Sequence, residues 1–196
     1  MMVSLRRIRE RTIAAIAVAV TVFMVAAPSA SAATMNGYDV SGWQAANITA
    51  TAPGDFAIIK ATEGSTYVNP YMTSQVSGAI STGKSYGFYH YADGWNAEAE
   101  ANHFIAAVRP YVGRAILALD WESNGNNAWG NSDWIRRFVN TVHSRTGVWP
   151  VVYVQASSVG QVSADVRQHC ALWKAQYASN ATTGYQGAPW NLGSAG

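Results

Sequence analysis

The stretch AILALDWE, Ala115–Glu122, joins a continuous apolar run to two acidic residues, Asp120 and Glu122. An apolar run without alternation is typical of a strand that is buried on both faces of a parallel sheet. Comparable runs recur along the chain, and most are followed by a stretch with helical spacing. The predicted strands are Tyr38–Val40, Phe56–Lys60, Ser85–Tyr91, Ala115–Asp120, Val151–Gln155 and Ala171–Gln176.

Helices are predicted between these strands from the period of their apolar residues. Strands that alternate with helices predict an α/β fold with right-handed crossovers. Six strands are too few for a regular eight-stranded (β/α) barrel, so either the sheet is open or the chain stops before its last strands. The predicted helices are Pro70–Thr82 (followed by Gly83), Asn96–Val108, Ser132–Thr146 with a Ser-Asp start, and the weaker Ser158–Gln168.

The N-terminus has the pattern of a secretory signal peptide. Residues 6–11 read RRIRER, Ile13–Ala27 is almost entirely apolar, and Ala30–Ala32 is a small-residue exit. The alternative is an uncleaved anchor, but fifteen helical residues span only about 22 Å of a hydrocarbon core about 30 Å thick. We therefore predict cleavage after Ala32, a secreted, extracellular domain over residues 33–196, and no stable membrane association after cleavage.

Composition narrows the possible functions of that domain. The whole chain of 196 residues is 49% hydrophobic and only 12% charged, and without the charged residues of the first eleven it keeps nine basic and ten acidic residues. A nucleic-acid-binding domain needs a basic face, so no nucleic-acid partner is expected. The single cysteine, Cys170, excludes a disulfide scaffold and is either a small buried hydrophobe or the partner of a cysteine that this chain lacks.

Acidic residues gather at the carboxyl ends of the first four predicted strands. Asp39 lies at the end of the first strand, Glu63 just after the second, Asp93 just after the third, and Asp120 and Glu122 at the end of the fourth. In a parallel α/β sheet these ends share one side of the molecule, where ligands bind. Crowded carboxylates raise each other's pKa, which suits acid–base catalysis.

Asp120 and Glu122 are two residues apart, so in an extended chain their side chains share a face with Cα atoms about 6.6 Å apart. One carboxyl can stay protonated and donate to a leaving oxygen, while the other stays charged beside a developing cation. Glycoside hydrolysis uses this pair of roles. We assign Glu122, the longer side chain, as the acid, and we group Asp39 with the pair as catalytic candidates.

Sugar substrates also need flat apolar surfaces with polar edges, which tyrosine supplies. Tyrosines near the ends of the later strands could line such a cleft, together with neighbouring polar residues. The predicted substrate-binding residues are Glu63, Tyr91, Tyr153, Gln155 and Tyr177.

Other chemistries have little support in the sequence. The four histidines lack the spacing of a zinc site, and there is no GxSxG motif or glycine-rich phosphate loop. We therefore expect no metal and no cofactor. His90 lies inside the third predicted strand and is expected to be a packed, hydrogen-bonded residue rather than a ligand.

Six blocks in a fixed order resemble the family 25 glycoside hydrolases, the Chalaropsis-type lysozymes. The combination of an Asp-Val-Ser motif, a Lys-Ala-Thr-Glu-Gly motif and the Asp-x-Glu strand end carries the resemblance. The blocks are YDVSGWQ at Tyr38–Gln44, FAIIKATEG at Phe56–Gly64, GFYHYA at Gly87–Ala92, LALDWE at Leu117–Glu122, VVYV at Val151–Val154 and LWKAQY at Leu172–Tyr177.

The resemblance implies a flattened, irregular TIM-like (β/α) barrel and a secreted N-acetylmuramidase. Such enzymes cleave the β-1,4 bond between N-acetylmuramic acid and N-acetylglucosamine in peptidoglycan glycan strands without a cofactor. It implies that Glu122 is the acid, that Asp120 steadies the attacking acetamido group of the substrate, and that Asp39 completes the site.

Family members continue with two further strands, so the resemblance predicts a catalytic domain that lacks its last two strands at Gly196. Activity of such a chain is open, and a cell-wall glycan-binding module without turnover is the alternative function. In either case we expect a monomer.

Overall fold

The computed structural model describes residues 35–175. The predicted signal peptide, Gln176 at the end of the last predicted strand, and Tyr177 lie outside these residues. The strands are β1 Gly37–Val40, β2 Phe56–Glu63, β3 Tyr67–Val68, β4 Ser85–Tyr91, β5 Ile116–Trp121, β6 Val151–Gln155 and β7 Leu172–Ala175. The α-helices are α1 Ile48–Thr51, α2 Met72–Ser81, α3 Ala97–Val108, α4 Ser132–Thr146 and α5 Ala164–His169, with 3₁₀ turns at Arg109–Tyr111 and Ala156–Gln161.

Six parallel strands form one sheet in the order β1-β2-β4-β5-β6-β7, and β3 pairs antiparallel with β2. All six predicted strands are present in this sheet, and the α/β class is confirmed. Parallel neighbours require crossover connections, which the helices provide. The carboxyl ends of the six strands therefore lie on one rim, as the sequence predicts.

The sheet is curled into a half-barrel. In a flat sheet β1 and β7, its two edges, would lie about 24 Å apart, because neighbouring strands are about 4.8 Å apart. Instead Asp39 of β1 and Trp173 of β7 line one cavity, and Phe56 of β2 lines another together with Trp173. The curled sheet with its helices agrees with the flattened (β/α) barrel expected from the sequence.

The larger core lies between the outer face of the sheet and the helices. Phe88 and Leu119 on the strands pack there with Phe104 of α3 and Phe138 of α4, and all four side chains are fully buried. Burial of a large apolar side chain contributes about 1.5–3 kcal/mol, so this layer supplies most of the fold's stabilisation. The inner face carries a much smaller cluster centred on Ile58, Tyr89 and Ala118.

The ends of several helices follow local capping rules. The Asn96 side chain accepts a hydrogen bond from the Ala99 N–H at 2.8 Å and caps α3. Asn131 caps α4 in the same way, so the cap precedes the Ser-Asp pair at which the sequence predicts the start. Gly83 follows α2 with φ of +71°, a left-handed conformation that favours glycine and ends the helix as predicted.

Two predicted elements differ from the structure by more than two residues at one end. Strand β2 continues past Lys60 to Glu63, because an irregularity between Lys60 and Thr62 shifts its register on β4 without ending the pairing. Glu63 is therefore the last residue of the strand rather than a loop residue.

The helix predicted over Ser158–Gln168 is a 3₁₀ turn followed by α5. Val162 and Ser163 adopt extended backbone between them, and the Val162 side chain is fully buried in the larger core. The short elements α1 and β3 have no strong pattern in the sequence.

No helix within residues 35–175 combines the length and the apolar character needed to cross a bilayer.

Candidate active site

The pairing register aligns one residue from each of five neighbouring strands across the sheet. Glu63 pairs with Tyr91, Tyr91 with Asp120, Asp120 with Tyr153, and Tyr153 with Trp173. This row lies at or near the carboxyl ends of β2, β4, β5, β6 and β7. It is the structural reason why acidic and aromatic side chains that are distant in sequence meet on one rim.

A cavity of about 150 Å³ lies on the concave face beside this row. The three predicted catalytic residues all line this cavity, although Asp39 lies on β1 and Trp173 on β7, the two edge strands of the sheet. Tyr89 lines the cavity further from the rim, because it lies two residues before Tyr91 on the same face of β4. The lining residues are Asp39, Tyr89, Asp120, Glu122, Tyr153 and Trp173.

Asp120 is the most strongly perturbed carboxyl in the cavity. Burial raises its pKa well above that of an ordinary aspartate, and the negative charges of Glu122 and Asp39 raise it further. The positive charge of Lys60 opposes this shift. The Oδ1 atom of Asp120 is buried and has no hydrogen-bond partner. A buried oxygen without a partner costs free energy, which a ligand that donates a hydrogen bond to it would recover.

Asp39 keeps an exposed face, yet the protein around its carboxyl removes enough water to raise its pKa. A hydrogen bond from backbone opposes that effect. Asp39 and Asp120 therefore both take up protons at a higher pH than free aspartate. The cluster is coupled, because protonation of either carboxyl relieves the repulsion on the other.

The acid role that the sequence assigns to Glu122 stays a prediction. Asp120 lies within β5, while Glu122 follows the end of that strand. Burial favours the protonated form of Asp120, so a mechanism must also account for the raised pKa of this carboxyl.

Two tyrosines keep their phenolic protons in this acidic surrounding. Burial, followed by the charges of Glu122 and Asp120, raises the pKa of Tyr91 to about 12. Burial and the charges of Asp39 and Asp120 also raise the pKa of Tyr89. The Tyr91 hydroxyl donates to the carbonyl of Asn124 at 2.6 Å, which ties the loop after Glu122 to β4.

The predicted substrate-binding residues are distributed over different places. Tyr153 lines the cavity, and its ring packs edge-on against Trp173 with centroids 4.9 Å apart. Tyr91 lies on the row, but its hydroxyl is used by Asn124. Gln155 is exposed at the end of β6 and is not among the residues that line this cavity. Tyr177 lies outside the described residues.

Glu63 lies in a second cavity of about 340 Å³ rather than beside Asp120. Its carboxylate forms an ion pair with Lys60, whose Nζ atom lies 4.7 Å from the centroid of the Tyr91 ring. Glu63 is two strands away from Asp120 in the sheet, with Tyr91 of β4 between them. The lining residues are Ser41, Gly42, Trp43, Lys60, Glu63 and Tyr67.

Tyr89 and Trp173 line the cavity but are not among the site residues predicted from the sequence. Their signal was present as alternation, since Tyr89 shares a strand face with Tyr91. The sequence does not show how strongly the sheet curls. That curl decides which side chains on the concave face reach the cavity.

Asp93 follows β4 and lies at the rim in a loop held by a buried network. Glu100 accepts hydrogen bonds from the backbone N–H groups of Asp93 and Trp95, each at 3.0 Å. The same carboxyl contacts His90 Nε2 at 3.0 Å, and His90 Nδ1 contacts Thr62 Oγ1 at 2.8 Å. Burial lowers the pKa of His90, so the ring is neutral, and the prediction of a packed, hydrogen-bonded histidine is confirmed.

Within residues 35–175, no three histidine, cysteine, aspartate or glutamate side chains are grouped so that they could hold a metal ion. The side chains that line the cavity supply carboxyl groups, phenols and an indole.

Known proteins with the same sequence pattern and fold are glycosidases. The family model "Glycosyl hydrolases family 25" matches residues 38–192. An N,O-diacetylmuramidase from Chalaropsis sp. is 34% identical over 168 residues, which cover 74% of this chain and 80% of the relative. The muramidase structure from Acremonium alcalophilum is 33% identical, with a TM-score of 0.63 over 76% of this chain and 81% of that chain.

A third similarity includes a bound ligand. The modular Cpl-1 endolysin, solved in complex with a peptidoglycan analogue, is 25% identical with a TM-score of 0.60, and the match covers 77% of this chain and 47% of that chain. The family match covers most of the chain and the fold agrees with it. The chain belongs to the glycosyl hydrolases of family 25.

Proposed function

We propose that this chain is a lysozyme-type N-acetylmuramidase that cleaves the β-1,4 bond between N-acetylmuramic acid and N-acetylglucosamine in peptidoglycan. The muramidase names of its relatives and the peptidoglycan analogue bound by one structural neighbour support this substrate. The observation that carries the proposal is the meeting of Asp39, Asp120 and Glu122 in one cavity with aromatic walls.

Glu122 acts as the general acid. It lies at the mouth of the cavity beyond the end of β5, where a glycosidic oxygen can approach it. Donation of its proton lets the leaving sugar depart as a neutral alcohol while positive charge develops at the anomeric carbon. The negative charges of Asp39 and Asp120 stabilise that charge, and they cost little reorganisation because the fold already holds them in place.

Asp120 positions the acetamido group of the N-acetylmuramic acid. The buried Oδ1 atom has no hydrogen-bond partner within the protein. It accepts a hydrogen bond from the acetamido N–H. Accepting that bond favours ionised Asp120, so its proton passes to Glu122 as the substrate enters. The oriented acetamido oxygen then attacks the anomeric carbon, and the bond to the leaving oxygen breaks.

Hydrolysis of the cyclic intermediate completes the reaction with retention of configuration. Glu122, now a carboxylate, takes a proton from a water molecule that attacks the anomeric carbon from the side vacated by the leaving group. The acetamido group is released unchanged, and Glu122 regains its proton. Two displacements at one carbon give net retention.

The N-terminal pattern supports a reaction outside the cell. We propose that residues 1–32 direct secretion and are removed after Ala32, so that the catalytic domain acts as a monomer on cell-wall glycan. N-terminal sequencing of protein from culture medium tests the boundary; a first residue at Met1 would contradict it.

The decisive experiment is the variant Glu122→Gln, which keeps the size of the side chain and removes its proton transfer. We expect a loss of about 10²–10⁴-fold in the rate of reducing-end release from purified peptidoglycan. Glu98→Gln is the matched control, because Glu98 is a partly exposed glutamate on α3, remote in sequence from the cavity residues.

Both variants should unfold at the same temperature as the wild type within a few degrees. Undiminished release by Glu122→Gln would contradict the proposal. Binding of the wild type to peptidoglycan without any release would indicate a glycan-binding module instead.

A further inference from the structure

Trp43 is presented to solvent on a turn with little freedom. The residue is 93% exposed, the largest exposure among the large apolar residues that the structure describes. Its backbone N–H donates to Ser41 Oγ at 3.2 Å, and the Gln44 side chain accepts from the Ser41 N–H at 2.8 Å. Buried Gln75 donates to the Ser41 carbonyl at 2.9 Å and fixes the turn to α2. The indole is thus exposed on a rigid support.

The cavity beside Trp43 has a polar floor and a second aromatic side. Lys60 and Glu63 form an ion pair there, and Lys60 Nζ lies 5.5 Å from the centroid of the Tyr67 ring. The pair offers a donor and an acceptor next to two aromatic surfaces. Pyranose rings need this combination, since their C–H face stacks on an aromatic ring while hydroxyl and acetamido groups need polar partners.

The second cavity adjoins the catalytic one along the rim. Asp39 lines the first cavity and Ser41, two residues later, lines the second. On the register row Glu63 and Asp120 are separated only by Tyr91 of β4, which is two strand spacings or about 10 Å. That distance is too long for one sugar ring, but a glycan strand that passes through the catalytic cavity can reach it.

We propose that the second cavity is a remote glycan subsite that binds a further N-acetylhexosamine of the strand being cleaved, with Trp43 as its stacking platform. This inference rests on the proposed muramidase function. It adds a determinant of affinity for long strands that takes no part in the chemistry. Its ligand is the sugar backbone rather than the peptide stem of peptidoglycan.

The test compares Trp43→Ala with Trp95→Ala in the full chain. Trp95 is 74% exposed and lines neither cavity, so it is a matched control for the loss of an exposed indole. Binding is measured by calorimetry in a Glu122→Gln background, with two peptide-free probes: the MurNAc–GlcNAc disaccharide and a glycan strand of at least three disaccharide units. Thermal unfolding of each variant checks that the fold is intact.

We expect Trp43→Ala to weaken binding of the long probe about three- to tenfold and to leave binding of the disaccharide unchanged. Trp95→Ala should change neither. With Glu122 restored, Trp43→Ala should raise KM for peptide-free strands by a similar factor, with kcat within about twofold of the wild type.

Equal binding of the long probe by Trp43→Ala and the wild-type background would overturn the subsite. So would an equal loss with the disaccharide and the long probe, because a remote subsite contributes only to binding of the longer ligand. A wild type that binds glycan but releases no reducing ends would contradict the muramidase function alone. The binding comparison would still decide the subsite in that case.

Discussion

Two buried polar groups on opposite faces of the curled sheet, His90 and Asp120, differ in their hydrogen bonding. On the outer face His90 is fully buried between the sheet and the helices, and both of its ring nitrogens have partners, Thr62 and Glu100. On the inner face Asp120 has a buried oxygen with no partner and lies near two further carboxylates.

The difference separates stability from function within one sheet. A buried polar network stabilises a fold only when each member is satisfied, as around His90. An unsatisfied carboxyl beside like charges destabilises the protein, and a ligand that pairs with it recovers that free energy. The Asp120 cluster therefore suits a ligand site and the His90 network suits the fold, and variants can test each of the two separately.

Within this comparison the largest expected effect follows from Asp120→Asn, which replaces one of the three inner-face carboxyls with an amide. The amide cannot accept the acetamido N–H as a carboxylate does or stabilise the developing positive charge. We expect kcat on peptidoglycan to fall about 10²–10³-fold, the range found when one group that stabilises transition-state charge is removed. Reducing-end release measures this, and a loss of less than threefold would contradict the assigned role.

The same variant should gain stability in a pH-dependent way. Because burial raises the pKa of Asp120 in the folded state, its contribution to stability is fully present below the unfolded pKa near 3.9 and is lost as pH rises through the folded pKa. Asp120→Asn removes this loss. Its thermal midpoint should therefore exceed that of the wild type increasingly as pH rises above about 4; parallel midpoints would show that Asp120 is not perturbed.

The sequence predicts the meeting of Asp39, Asp120 and Glu122 because strand ends are a property of chain order. Asp39 lies near the end of the first strand, Asp120 and Glu122 lie at the end of an apolar run, and parallel strands bring such ends to one rim. The larger core is predictable for a similar reason, since periods of two and 3.6 residues mark the buried faces.

The features that the sequence does not predict depend on three-dimensional detail. The curl of the sheet brings Trp173 and Tyr89 into the cavity, and no local pattern encodes it. Glu63 lines a different cavity from Asp120, although the two residues lie on one register row. The burial that raises the pKa of Asp120 likewise depends on the folded chain.

A further variant, Glu100→Gln, disrupts the hydrogen-bond network on the outer face. Glu100 is 1% exposed and accepts hydrogen bonds from the N–H groups of Asp93 and Trp95 while contacting His90. A glutamine offers one acceptor oxygen and places an N–H₂ group against one of these donors. We expect a loss of about 2–4 kcal/mol in the free energy of unfolding, measured by urea denaturation.

Glu98→Gln, on the same helix, again supplies the control. Glu98 is partly exposed and lies 3.4 Å from Arg137, a pair whose contribution should be below about 1 kcal/mol. If the comparison of the two faces is correct, Glu100→Gln lowers stability while a folded sample below its transition keeps cleavage activity within about an order of magnitude of the wild type. Equal stability of the two variants would contradict the role of the outer network.

The smallest effect concerns Cys170, which packs in the outer-face core with 3% of its surface exposed. Burial raises the pKa of its thiol to about 11, so little thiolate exists at neutral pH and the sulfur is shielded as well. We expect negligible labelling by iodoacetamide at pH 8 in the folded protein and full labelling in urea, and Cys170→Ala should cost about 1 kcal/mol. These results would assign Cys170 to the core as a small hydrophobe. Rapid labelling of the folded protein would instead show a thiol accessible enough to pair with a cysteine from another chain.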